Sequence, residues 1–104
     1  MITPLDLKKE IETRLRSYLS RDKSGIRKAL LSLIVKTKTI TIPQIHEKLA
    51  ATFHVSYHSV ASMVGTIASK FGILSTKKEK DGDLGVYELK PQYAELVERV
   101  IASA

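Results

Sequence analysis

The segment from residue 25 to residue 37 constrains the fold more than any other part of the chain. Its large aliphatic side chains cover most of the circumference of a helix, and they are Ile26, Leu30, Leu31, Leu33, Ile34 and Val35. A helix that is apolar on nearly every side normally lies in the centre of a core. The remaining segments must pack around it, and a chain of 104 residues has room for one such core. We predict a single domain over residues 1–104.

The segment before the central helix carries the signals of another helix and a turn. Thr3 supplies a capping hydroxyl, Pro4 suits the first helical position, and Asp6 lies near the positive end of the helix dipole. These signals predict a helix over residues 4–20. A polar break follows, in which Ser24 is expected to cap the central helix.

Two further helices and a short strand are predicted next. Residues 39–42 alternate β-branched side chains over a length that suits one edge strand. Pro43 opens a helix that ends near Thr52. Ser56 caps the following helix, and Gly72 is expected to end it because glycine readily takes the left-handed conformation found after many helices.

The C-terminal third of the chain predicts a β-hairpin and a final helix. Two strand-like runs, residues 73–79 and 86–89, flank a loop that contains Asp-Gly and a second glycine. Pro91 then starts a helix that runs to about residue 103. The predicted fold class is therefore mainly α with a small β-hairpin (α+β).

The order of these elements over residues 24–90 is that of a winged helix-turn-helix, here flanked by the helices at 4–20 and 91–103. In this fold the second helix of the pair, residues 56–70, lies in the DNA major groove while the first helix braces it. The turn between them is longer than in the basic motif, and His46 stands where a small residue is usual. Winged-helix proteins commonly tolerate the longer turn.

The run from Ser24 to Leu89 resembles the winged-helix superfamily, with a layout similar to the DNA-binding domains of ferric-uptake-type and other prokaryotic repressors. The metal-binding dimerisation domain of ferric-uptake-type proteins is absent, so their metal sensing does not carry over. Residues 21–27 (RDKSGIR), 60–65 (VASMVG) and 71–74 (FGIL) look like a small archaeal family known as a domain of unknown function. That resemblance spans nearly the whole chain and implies a winged-helix fold in an archaeal cytoplasm, with no established activity or ligand.

Positive charge gathers in two segments of a chain whose formal net charge is +6. Residues 21–40 hold six basic side chains against one acid, and residues 61–80 hold four against one, whereas residues 81–104 are acidic. Such an excess suggests a polyanionic partner, and double-stranded DNA is expected if the fold brings the two segments together. Lysines that merely solvate a small domain are the alternative explanation.

The predicted DNA-binding residues lie on the 56–70 helix, on the hairpin that forms the wing (about 73–89), and around the start of the central helix. They are Tyr57, His58, Ser59, Ser62, Gly65, Thr66, Ser69 and Lys70, then Lys77, Lys78 and Lys80, then Lys23, Arg27 and Lys28. The outward face of the 56–70 helix has no Arg, Asn or Gln, so backbone and shape contacts should supply most of the affinity. Gly65 suggests that DNA or another helix approaches the backbone closely there.

An enzyme is not expected from this sequence. The chain has no cysteine, its three histidines have no acidic neighbours placed to orient them, and its glycines form no phosphate-binding fingerprint. We predict no catalytic residue, metal, cofactor or small-molecule ligand, and no apolar run is long enough to span a membrane. The predicted function is DNA binding by a transcriptional regulator. A winged-helix protein-protein interaction adaptor without direct DNA binding is the alternative.

The two flanking helices each carry one apolar stripe, which suggests a homodimer. The predicted dimer contacts are Leu15, Tyr18, Val97 and Ile101. Two DNA half-sites would offset a weak reading face. The alternative is that both stripes pack on their own domain and enlarge its core.

Overall fold

Helices and a small antiparallel sheet make up the computed structural model, which describes residues 3–78 and 85–103. In chain order the elements are α1 (Pro4–Ser20), α2 (Ile26–Thr37), β1 (Thr39–Thr41), α3 (Ile42–Ala50), α4 (Tyr57–Lys70), β2 (Leu74–Lys78), β3 (Gly85–Leu89) and α5 (Pro91–Ser103). The predicted α+β class is confirmed, and the predicted helices and strands are found in the predicted order. None of the described helices combines the length and apolar character that crossing a membrane requires.

The α2 helix lies in the centre of the core, as its apolar circumference predicts. Leu30, Leu31 and Ile34 are buried, and α2 contacts α1, α3, α5 and two of the strands. Three helices and two strands therefore pack on α2, which explains why large aliphatic side chains occupy most of its circumference.

The three strands form one sheet in the order β1–β3–β2, with both pairs antiparallel. Ile40 of β1 lies opposite Tyr87 of β3, and Leu74 of β2 lies opposite Leu89. The predicted edge strand is found over residues 39–41, and it pairs with the second arm of the hairpin; Ile42, which was predicted to extend it, is the first residue of α3. This pairing joins the start of the α3–α4 pair to the hairpin that follows it.

Both flanking helices pack within the chain, which corrects two of the predicted dimer contacts. Leu15 and Val97 are each 0% exposed, so neither side chain has surface left to offer to a second copy. Tyr18 and Ile101 are half-buried against the same core. The apolar stripes of α1 and α5 meet each other and α2, so for Leu15 and Val97 the alternative of an enlarged core is the correct one. The oligomeric state itself stays a prediction.

A polar contact reinforces the packing of α1 on α5. The Glu12 carboxylate accepts hydrogen bonds from Arg99 of α5 and from Arg16 of its own helix. These guanidinium groups hold the pKa of Glu12 below its ordinary value, with Arg99 the larger cause. Because this ion pair is exposed to solvent, it contributes little to the free energy of unfolding, and its main effect is to orient α1 against α5.

Candidate functional site

The α4 helix presents one side to the core and the opposite side to solvent, as predicted. Val60, Val64 and Ile67 are fully buried. The opposite side, called the α4 face below, consists of Tyr57, His58, Ser59, Ser62, Gly65, Thr66, Ser69 and Lys70, all exposed except the half-buried Thr66. No residue of α4 is acidic, so this face would not repel a polyanion.

The uncommitted hydroxyl donors of the α4 face lie in its N-terminal half. The hydroxyl of Thr66 donates to the carbonyl oxygen of Ser62, and that of Ser69 points to the carbonyl oxygen of Thr66, so both are committed within the helix. The hydroxyls of Tyr57 and Ser62 have no such commitment among the described residues. Donors at the start of a recognition helix are the ones that reach base edges.

Two side chains fix the start of α4. The Ser56 hydroxyl accepts from the backbone N–H of Ser59 at 3.1 Å, which confirms the predicted N-cap. His46 of α3 donates from Nε2 to the carbonyl oxygen of Val55 at 3.2 Å, and its ring meets the Tyr57 ring edge-on at 5.8 Å. The histidine that departs from the basic helix-turn-helix pattern therefore fastens the α3–α4 connection and orients the 47%-exposed Tyr57.

Gly65 lies in the middle of the α4 face with nothing close to it. Apart from the neighbouring backbone of α4 itself, a Cβ atom built on Gly65 would find no described atom within 4 Å. The expectation that another helix of this chain approaches the backbone here is therefore wrong for the described residues. Approach of an external partner, DNA included, stays a prediction.

Replacing Gly65 with alanine is expected to raise the free energy of unfolding by about 0.5–1 kcal/mol. Glycine is poorer than alanine in a helix interior by about this amount, and the open surroundings leave room for the new methyl group. Chemical denaturation of both proteins measures the difference. A loss of stability on this substitution would mean that something in the folded protein does crowd this position.

The hairpin places two of the three predicted wing lysines on its first arm. Lys77 and Lys78 are the last residues of β2, paired with Val86 and Gly85 of β3. Lys80 lies outside the described residues. The arm follows α4 directly in the chain and contacts it.

The two basic segments of the sequence meet in one cleft, which we call the basic cleft. Its lining residues are Arg14, Ser17, Tyr18, Arg21, Arg27, Thr66, Lys70 and Phe71, and its volume is about 480 Å³. Arg27 comes from the first segment and Lys70 from the second, so the predicted convergence is found for this pair. Lys23 and Lys28, also predicted to bind DNA, are exposed and lie outside the lining.

Sequence reasoning missed the contribution of α1 to the basic cleft. Arg14, Ser17, Tyr18 and Arg21 follow one another at spacings of three, one and three residues, which places them on one side of a helix. This polar stripe, beside the apolar stripe of the same helix, was the signal in the sequence that could have indicated a second functional side of α1. Its partner across the cleft is the end of α4, where Arg14 donates to the carbonyl oxygen of Lys70 at 3.5 Å and the Tyr18 and Phe71 rings meet edge-on at 5.4 Å.

Asp22, and not Ser24, caps α2. The N-cap residue is Gly25, whose φ of 86° suits glycine and whose missing side chain leaves the first N–H groups of α2 without a local partner. The Asp22 carboxylate reaches across the turn and accepts from the backbone N–H groups of Gly25, Arg27 and Lys28 at 3.1–3.2 Å. The negative charge of Asp22, which follows Arg21 of the basic cleft in the chain, is therefore directed at the positive end of the α2 dipole.

The comparisons with known proteins place the chain in a family. Residues 15–97 match the family described as "Protein of unknown function (DUF2551)". The chain belongs to this family. It is also 40% identical over 93 residues to an uncharacterized protein of Archaeoglobus fulgidus, a match that covers 88% of this chain and 93% of the relative. No solved structure matches the chain.

The matched region contains nearly all of the site described above. It runs from the middle of α1 into α5, and so includes the whole α4 face and every lining residue of the basic cleft except Arg14. The expected resemblance to a small archaeal family of unknown function is confirmed by the DUF2551 match and the archaeal relative.

Proposed function

We propose that this DUF2551 protein is a winged-helix DNA-binding protein that acts as a transcriptional regulator. The observation that carries the proposal is the α4 face, which has no acid and ends at a cleft where two basic segments meet. The order α2, β1, α3, α4, β2, β3 with strand order β1–β3–β2 supports it, because a winged helix has this layout. In that fold α4 is the recognition helix and the β2–β3 hairpin is the wing.

Phosphate contacts and base contacts would come from different parts of this surface. The cations proposed to neutralise phosphates are Arg27 and Lys70 at the basic cleft and Lys77 and Lys78 of β2. The donors near Tyr57 would enter the major groove. Because hydroxyls discriminate poorly between bases, most of the affinity would be electrostatic and would depend strongly on salt.

A protein-interaction adaptor is the competing interpretation, and exposed apolar surface is the feature that would favour it. The large hydrophobic side chains exposed in the described residues are Leu7 and Tyr57, on separate helices. Single exposed hydrophobic residues are normal on a protein surface, whereas docking faces are contiguous patches. The described residues show no contiguous apolar patch of this kind, and the basic cleft favours a polyanion, so DNA is the preferred partner.

The experiment is an NMR titration of the full chain with a short duplex at low and at higher salt. We expect the largest amide shifts in residues 56–70, in β2 and around Arg27, all fading as salt rises. With about four phosphates neutralised, log K should fall against log salt with a slope near −3.6. An unchanged spectrum at low salt would overturn the proposal and direct the search to protein partners.

A pair of double variants sharpens this test. Lys77→Ala with Lys78→Ala should weaken duplex binding and reduce the salt slope by about 1.8, the value for two lost phosphate contacts. The matched control is Lys8→Ala with Lys9→Ala, a second pair of adjacent lysines, both exposed on α1. Equal effects of the two pairs would mean that the duplex responds only to net charge and not to the wing.

A further inference from the structure

The basic cleft has the size of a small-molecule site. Its walls are the C-terminal half of α1, the α1–α2 turn, the start of α2 and the end of α4. Its volume of about 480 Å³ lies within the range of about 300–1,000 Å³ found for ligand pockets. A concavity of this size exceeds what one phosphate of a smooth duplex backbone would fill.

The charge of the basic cleft calls for an anion. Four of its eight lining residues are cationic (Arg14, Arg21, Arg27 and Lys70) and none is acidic. The nearby acids are occupied, because Glu10 pairs with Arg14 and Asp22 caps α2. Within residues 3–78 and 85–103, the Arg21 guanidinium and the Lys70 ammonium have no hydrogen-bond or ion-pair partner. Cations that lie close together repel one another where no counter-charge neutralises them, as at Arg21 and Lys70, and a bound anion removes that cost.

Arg27 shows how rigidly one of these cations is held. Its guanidinium donates to the carbonyl oxygen of Tyr18 at 2.9 Å and lies 4.4 Å from the centre of the Tyr18 ring. A guanidinium fixed in this way keeps further N–H groups free for a phosphate, with little side-chain entropy left to lose on binding.

The other half of the lining is aromatic and hydroxylic. Tyr18 and Phe71 form an apolar wall with their rings edge-on. Burial raises the pKa of the Tyr18 hydroxyl, which therefore stays protonated at neutral pH and remains a donor. Ser17 adds a hydroxyl that is not committed to another described group. A flat aromatic group beside an anion is the chemistry that suits such a lining.

We propose that the basic cleft binds a nucleotide. The phosphate groups contact Arg21, Arg27 and Lys70, and the base lies against the wall formed by Tyr18 and Phe71. This inference goes beyond the proposed DNA binding and does not depend on it, because the ligands expected to bind are free nucleotides.

The experiment is calorimetric titration of the full chain with ADP, GDP, CDP and UDP, with the matching nucleosides and pyrophosphate as the separate halves. We expect at least one nucleotide to bind more tightly than its nucleoside and than pyrophosphate. In an NMR titration with the same nucleotide, the amide shifts should be confined to residues 14–27 and 66–71. Arg21→Ala and Lys70→Ala should each weaken that binding by about 10-fold, the effect of one charge-assisted hydrogen bond. The control Lys48→Ala, an exposed lysine on α3, should leave it unchanged.

Three results would overturn the inference. Equal affinity for pyrophosphate and every nucleotide would show that the basic cleft recognises phosphate alone. Cleft shifts caused by a duplex but by no free nucleotide would make the cleft part of a DNA interface. Nucleotide binding that survives both Arg21→Ala and Lys70→Ala would place the site elsewhere. Because both side chains are exposed, the amide spectra of the two variants should show the native fold in every case.

Discussion

Replacing Leu15 with alanine is expected to lower the free energy of unfolding by about 3 kcal/mol. Leu15 is 0% exposed and packs in the single core with residues of α2 and α5. Truncating a buried leucine removes favourable burial and leaves a cavity, at a typical cost of about 2–5 kcal/mol. Urea denaturation measures the change, which for a domain of ordinary stability is a large fraction of the total.

The control for this experiment is Leu7→Ala on the same helix. Leu7 is 41% exposed, so its truncation should change the free energy of unfolding by about 0.5 kcal/mol or less. If Leu15 instead contacted a second copy, its truncation would act mainly on association, and the loss of stability would depend on protein concentration. A loss of about 3 kcal/mol that does not vary with concentration would establish that α1 belongs to the folding unit.

Local patterns in the sequence were sufficient to predict the helices and the orientation of α4. The cap at Ser56, the stop at Gly72 and the spacing of Val60, Val64 and Ile67 all act within one or two turns. Interactions at such short range depend little on the rest of the fold. The face that α4 turns to solvent therefore followed from the sequence alone.

What covers an apolar stripe could not be predicted in this way. Leu15 and Val97 recur at helical spacing whether their partner is the same chain or a second copy, because periodicity reports a buried side and not its occupant. The structure resolves this only through the packing of α1 against α5 and α2. The cap of α2 shows the same limit, since Asp22 reaches its N–H groups only because Gly25 turns the chain.

The basic cleft could not be predicted for a related reason. Arg14 and Lys70 are 56 residues apart in sequence, and they meet because α1 packs beside the end of α4. Charge counting along the chain found the basic segment that contains Lys70 but assigned nothing to α1. Sites built from distant residues require the tertiary packing, which a single sequence does not report.

Replacing Gly65 with glutamate is expected to weaken duplex binding by about 10- to 100-fold at low salt while the protein stays folded. The new carboxylate would lie in the middle of the α4 face, where a like-charged phosphate costs about 1.4–2.7 kcal/mol at that level of weakening. The fold should tolerate the side chain, since the Cβ position is open and glutamate is a better helix former than glycine. Fluorescence anisotropy with a labelled duplex measures the loss.

Two matched variants separate the causes of that loss. Gln92→Glu makes the same change in net charge on α5, where the residue is exposed, and should affect binding little. Gly65→Ala adds bulk without charge. If alanine weakens binding as much as glutamate does, DNA approaches the helix backbone closely and the glycine is required for steric reasons. If only glutamate weakens binding, and the loss shrinks as salt rises, the effect is electrostatic. Full binding by both Gly65 variants would remove the α4 face from the DNA interface, since no partner that covers the middle of this helix could ignore both changes.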